Sequence, residues 1–203
     1  MGFFDSEENV DAYVRMAEGF DGRELVAVLE RHLPPGSSVL EIGMGPGKDL
    51  HWLGRRFRPT GSDNSSIFVD RARAADPSAD VLALDAVTLE TDRRFDAIYS
   101  NKVLHHLTPD ELARSLRAQR RLLREGGLAL HALWRGDRLE VHQGERFQYY
   151  TAQTFAERMG ESFEIVETGT YAEMDDDDSL YVVLRCPVSS RLAPRDGEST
   201  APR

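Results

Sequence analysis

The feature that most constrains this chain is the run Val39-Leu40-Glu41-Ile42-Gly43-Met44-Gly45-Pro46-Gly47. Apolar residues that read as a buried strand lead straight into three glycines at alternate positions. Leu50, Leu53 and Phe57 then follow at helical spacing. Glycine lets a chain turn sharply and brings its backbone close to a ligand. A helix N-terminus beyond such a turn offers unpaired N–H groups to a carboxylate or phosphate. The dinucleotide fingerprint needs a third glycine at the last place of G-x-G-x-x-G. Counted from Gly43 that place holds Lys48, and counted from Gly45 it holds Leu50. A nicotinamide cofactor is therefore disfavoured.

Around this turn, short apolar runs alternate with amphipathic segments, which reads as an α/β fold with a parallel sheet. Strands are expected at 38–42, 58–63, 81–84, 95–100 and 128–133, with two more near 163–168 and 180–185. Helices are expected at 10–19 and 22–33, and Pro34-Pro35-Gly36 stops the second. Thr108-Pro109-Asp110-Glu111 opens another, with Thr108 as cap, Pro109 at the first helical position and Glu111 completing a capping box. Gly126-Gly127 is expected to end it.

The acidic Glu41 two places before Gly43, followed by G-x-G-x-G, resembles the first motif of class I methyltransferases that use S-adenosylmethionine (SAM). Further segments resemble that family in order. Asp63 closes the second strand about 20 residues after Gly43. Asp85-Ala86 follows the third, and Phe95-Asp96-Ala97-Ile98-Tyr99-Ser100-Asn101 resembles the fourth motif. Val103-Leu104-His105-His106-Leu107 resembles the segment after it in small-molecule methyltransferases, and Leu122 to Leu128 resembles the turn before strand five. The resemblance implies a seven-stranded, mostly parallel sheet of order 3-2-1-4-5-7-6, its last strand antiparallel, with helices on both faces. It implies one SAM-dependent domain over residues 1–187, with N-terminal lid helices at about 10–33. Residues 188–203, rich in Ser, Pro and charge, are expected to form a disordered tail.

The same resemblance implies site roles. Glu41, Gly43, Gly45 and Gly47 would face the amino-acid part of SAM. Asp63 would bind ribose, Asp85 and Ala86 the adenine, with Asn64 beside it. Ser100 and Asn101 would close the methionine side, and Tyr13, on one helical face with Met16 and Phe20, would cover the cofactor. Tyr13 reads equally well as core packing, while the lesser alternatives are a helix cap for Asp85 and a turn for Asp63. His105 and His106 are the candidate catalytic bases, a helix-start role being the alternative. His131, inside a strand, reads as a core histidine. Trp134 and Arg135, with Lys102, Tyr149 and Tyr150, could form a pocket for a small, anionic acceptor. The expected activity is methyl transfer from SAM to a small molecule, leaving S-adenosylhomocysteine. Its alternatives are a SAM-binding sensor or partner-activating subunit, and methylation of protein or RNA. The N/D-P-P-Y/F motif of enzymes acting on planar amino groups is absent, since Ser100-Asn101-Lys102-Val103 stands there.

Size and charge agree with an enzyme of this kind. The 203 residues are 40% hydrophobic and 30% charged, enough for one folded domain. A formal net charge of −10 speaks against a nucleic-acid partner. The arginines at 114, 117, 120, 121 and 124 read as a solvated helix face. No apolar run nears the roughly 20 residues of a membrane span. Met1-Gly2-Phe3-Phe4-Asp5-Ser6 fits a loose myristoylation pattern, but Glu7 and Glu8 beside it would repel anionic lipid. The single cysteine, Cys186, excludes an intrachain disulfide and a cysteine-based zinc cluster, so a cytoplasmic location is expected. No metal is expected: the histidines lack H-E-x-x-H spacing, and Asp175 to Asp178 lack the alternation of a calcium loop.

Overall fold

The computed structural model describes residues 2–187 except 143; the expected tail at 188–203 lies outside the described residues. Among the described residues, nine strands form a seven-stranded sheet and a separate hairpin. In chain order they are β1 Ser38–Ile42, β2 Arg58–Asp63, β3 Val81–Ala83, β4 Phe95–Asn101, β5 Leu123–Trp134, β6 Leu139–His142, β7 Glu145–Gln148, β8 Glu164–Tyr171 and β9 Ser179–Arg185. Six α-helices accompany them: α1 Glu7–Met16, α2 Arg23–Glu30, α3 Lys48–Leu53, α4 Ser66–Ala75, α5 Pro109–Leu122 and α6 Ala152–Met159.

The sheet order is β3-β2-β1-β4-β5-β9-β8. Setting the β6–β7 hairpin apart as an insertion makes this the expected 3-2-1-4-5-7-6. Strand β9 runs antiparallel to both β5 and β8. Strands of the central sheet bury both faces, as parallel sheets do. On β4, Ala97 and Tyr99 point into one apolar cluster with Leu25 and Leu29 of α2 and Leu53 of α3. Ile98 points into the other, with Leu112 and Leu116 of α5 and Phe155 of α6. The order reverses between β1 and β4, which opens a crevice at their carboxyl ends.

Several boundaries differ from expectation. Helix α1 starts at Glu7, where two glutamates favour the positive N-terminal end, and it stops before Gly19, whose φ is +94°. The capping box at Thr108 forms, with the Thr108 N–H donating to Glu111 Oε2 at 2.9 Å. The Gly126-Gly127 pair does not end α5. That helix closes at Leu122, and β5 begins at once with Leu123 opposite Phe95. The pair sits where the register jumps from Phe95↔Leu123 to Ala97↔Leu128. A Cβ at Gly127 would lie 2.9 Å from the Arg124 carbonyl oxygen, so the bulge needs a residue without one. The hairpin and α6 were not foreseen. Asp178 closes the acidic run as a turn, its carboxylate accepting from the N–H groups of Glu173, Met174 and Asp175 at 2.9–3.0 Å. Among the described residues, no helix is long and apolar enough to cross a membrane.

Candidate active site

The glycine turn lies at the crevice. Gly43, Gly45 and Gly47 have φ of +68°, +49° and +79°, a region other residues avoid. A Cβ on Gly43 would sit 2.5 Å from Val103 Cγ2, so the turn is also pressed against the segment after β4. Asp63, at the end of β2, accepts from the Gly45 N–H and the Ser65 N–H, both at 2.9 Å. This carboxylate thus fixes the turn from the neighbouring strand. Burial raises its pKa, and the hydrogen bonds from backbone N–H groups oppose the rise.

One wall is the N-terminal segment. Tyr13 packs edge-on to Phe4 and Phe68, and the Ser65 hydroxyl donates to the Phe4 carbonyl at 2.8 Å. Lys48 and Asp49, directly after the turn, hold the rest of it. Lys48 Nζ donates to the carbonyls of Ala17 (2.5 Å) and Phe20 (3.3 Å). The buried Asp49 carboxylate accepts from the Gly22 N–H (2.6 Å), Tyr99 hydroxyl (2.7 Å) and Asn101 Nδ2 (3.0 Å). Burial first, then the charges of Asp63, Asp49 and Glu173, push the Tyr13 hydroxyl up to about 12, so it stays protonated.

Two connected spaces result. The first is lined by Tyr13, Asp21, Glu41, Gly43, Lys48, Asp49, Asn101 and Glu173 among others. Here Glu41 Oε2 and Asn101 Oδ1 are buried acceptors without a partner among the described residues. Unmade hydrogen bonds of this kind are costly unless a ligand completes them. The second, of about 300 Å³, shares Tyr13, Gly43, Asn101 and Lys102 with the first. It runs past Gly45, Asp63, Asn64, Phe68, Leu84, Asp85 and Ala86 to His105, His106, Trp134, Glu145 and Phe147.

At its far end the histidines form a chain. His106 Nδ1 lies 2.8 Å from the Arg146 carbonyl oxygen of the hairpin, and the two Nε2 atoms are 3.0 Å apart. Burial lowers the pKa of both rings, that of His105 strongly. Lys102, with φ +56°, places Nζ 3.1 Å from Glu173 Oε2, 2.6 Å from Ser179 Oγ and 3.5 Å from the Trp134 ring centroid.

Of the sequence-derived candidates, Tyr13, Glu41, Gly43, Gly45, Asp63, Asn64, Asp85, Ala86, Asn101, His105 and His106 line these spaces. Asp85 also closes its own turn through Oδ1, which accepts from the Val87 and Thr88 N–H groups at 2.7 and 3.1 Å. Ser100 does not reach the cleft: it is fully buried, 2.8 Å from His131 Nδ1 on β5. Gly47 caps α3 rather than lining either space. The anionic-acceptor pocket is corrected. Arg135 turns away to the Asp177 carbonyl, Tyr149 packs on Arg138, and Tyr150 is in the core against Phe155. A strand alternates its side chains, so neighbours such as Trp134 and Arg135 face opposite ways. Sequence reasoning missed Lys48, Asp49, Glu145 and Phe147. Only the adjacency of the first two to the glycines could have signalled them.

Residues 39–127 match the family described as a methyltransferase domain. The chain is 33% identical over 103 residues to a tRNA (carboxymethyluridine(34)-5-O)-methyltransferase of Saccharomyces cerevisiae, covering 50% of this chain and 37% of that protein. It is 34% identical over 80 residues to an Enterobacter trans-aconitate 2-methyltransferase, covering 38% and 31%. The matches thus span well under two thirds of these relatives' lengths. In three dimensions the chain resembles the 1,6-didemethyltoxoflavin-N1-methyltransferase of Burkholderia thailandensis, solved with 1,6-didemethyltoxoflavin and S-adenosylhomocysteine. The TM-score is 0.75 at 23% identity, covering 87% of this chain and 83% of that one, and it shows that the two share the Rossmann-like α/β fold.

Proposed function

We propose that the protein transfers a methyl group from SAM to a small-molecule acceptor. The observation carrying this reading is the continuous cleft from the glycine turn to a ring-lined compartment at the carboxyl ends of β4 and β5. The residues fit the cofactor. Glu41 and Asn101 offer unpaired buried acceptors to an ammonium, Asp63 offers a carboxylate to ribose, and Phe68 and Leu84 give apolar walls beside Asp85 for a base. SAM supplies a methyl already activated on a sulfonium. The chain's part is to hold the acceptor in line and exclude water, which the N-terminal segment clamped by Lys48 and Asp49 favours.

Acidic lining supports a small molecule over RNA. Asp21, Glu41, Asp49, Asp63, Asp85, Glu145 and Glu173 face the two spaces, against Lys48 and Lys102, both of which are engaged. A polyanion meets repulsion at such a mouth. The compartment beyond the turn favours transfer over SAM sensing alone, because a sensor has no use for it. A cytoplasmic setting accords with a free, buried Cys186.

Calorimetry with SAM and S-adenosylhomocysteine tests the cofactor. Micromolar binding is expected, weakened at least about tenfold by Asp63→Ala. Absence of binding to folded protein overturns the reading.

A further inference from the structure

The acceptor end of the cleft carries information about its ligand that rests on the methyl-transfer reading and extends it. Three rings are layered there. Phe147 of the hairpin stacks on His105 at 5.4 Å and 27°, and Trp134 lies 6.4 Å from His105 at 34°. His106 meets Phe147 edge-on at 4.8 Å. Such walls select flat ligands, since offset stacking on aromatic faces needs a planar partner.

The hydrogens can be placed. The Arg146 carbonyl can only accept, so His106 Nδ1 carries a hydrogen. Its Nε2 is then a lone pair, and His105 Nε2 donates to it across 3.0 Å. His105 Nδ1 is left as a buried lone pair with no partner among the described residues. The unmade hydrogen bond of the histidine pair is therefore an acceptor, and it calls for a ligand that donates.

The charge is equally one-sided. Among the described residues no arginine lines the compartment, and the Lys102 ammonium is already held by Glu173 and Ser179. Burial lowers the pKa of both histidines and so favours their neutral forms, while Glu145 stands in the wall. An anionic ligand would find no free positive charge there.

We propose that the methyl acceptor is a planar ring compound, uncharged or cationic, bearing an N–H or O–H as its methylated group, and that the β6–β7 hairpin selects it through Phe147. As the acceptor atom bonds the methyl carbon, the carbon–sulfur bond breaks with its electrons on sulfur. The acceptor's hydrogen leaves as a proton through the histidine pair.

The test uses three ligands of one ring system against the full chain saturated with S-adenosylhomocysteine: beta-naphthol, its methyl ether and beta-naphthoate. Calorimetry and saturation-transfer NMR are expected to show beta-naphthol binding about tenfold more tightly than either of the others. Phe147→Ala is expected to abolish that binding and leave S-adenosylhomocysteine affinity unchanged. The proposal is overturned if beta-naphthoate binds as well as beta-naphthol, if Phe147→Ala has no effect, or if no ring binds while S-adenosylhomocysteine does. Failure of S-adenosylhomocysteine itself to bind would instead remove the methyl-transfer reading underneath.

Discussion

Gly43 shows how one residue serves backbone and packing together. Its positive φ suits only glycine, and a Cβ there would come within 2.5 Å of Val103 Cγ2. Gly43→Ala should therefore cost on the order of 2–4 kcal/mol in a urea titration, from left-handed strain plus overpacking. Adding Val103→Ala should restore only the packing part, because the strain remains. His131 makes the opposite case, a polar group buried for structure. It is fully enclosed, and burial alone takes its pKa from 6.5 down to about 3. The folded state then resists a proton that the unfolded state accepts. Its contribution is at full value above pH 6.5 and declines as pH falls toward about 3. Between pH 6.5 and 5 the wild type should lose up to about 2 kcal/mol more than Ser100→Ala/His131→Leu. Equal losses in urea titrations at both pH values would contradict this.

Elements are tied to the site by a few side chains. Lys48 and Asp49 lie in the first turn of α3, yet they fasten the end of α1 and the start of α2. Lys48→Met should leave the fold intact but weaken S-adenosylhomocysteine binding several-fold and speed proteolysis between α1 and α2. Unchanged cleavage would mean that packing of Phe4 and Tyr13 suffices to hold the segment. Asp49→Ala is more severe, since it strands three donors, at about 1–3 kcal/mol for each group left unsatisfied. On α5, Thr108→Ala removes a formed cap that lines neither space of the cleft. It should cost about 1 kcal/mol without altering cofactor affinity.

Across the whole molecule, the switch in strand order between β1 and β4 decides where the cleft opens, and the charge lining it decides what can enter. With a net charge of −10 and an acidic mouth, bulk tRNA should show no binding at physiological salt in a gel-shift assay. A saturable shift would turn attention to the arginines of α5. Two of these already serve the fold, Arg120 bonding the Ser162 carbonyl and Arg121 the Leu89 carbonyl. Cofactor binding should also withstand EDTA, because the groups proposed to hold SAM are carboxylates, amides and backbone.

What the amino-acid order determined by itself is the strand-turn-helix at Gly43 to Gly47, the strand sequence and the acids at Glu41, Asp63 and Asp85. These are local patterns: a glycine turn, period-two burial and strand ends can be read from neighbours in the chain. Tertiary structure alone decided the partners across long separations. It brought Asp49 to Gly22 and Tyr99, and it turned Ser100 inward to His131. The hairpin was hidden because β6 lies fully exposed and β7 half-buried, so neither shows the apolar pattern of a core strand. Its Phe147 and the Arg146 carbonyl meet the histidines about forty residues earlier in the chain only once β5 has carried the chain back across the sheet. The sign of the acceptor pocket turned on the same point, since which of Trp134 and Arg135 faces the cleft depends on strand register, and pairing with β4 and β9 sets that register.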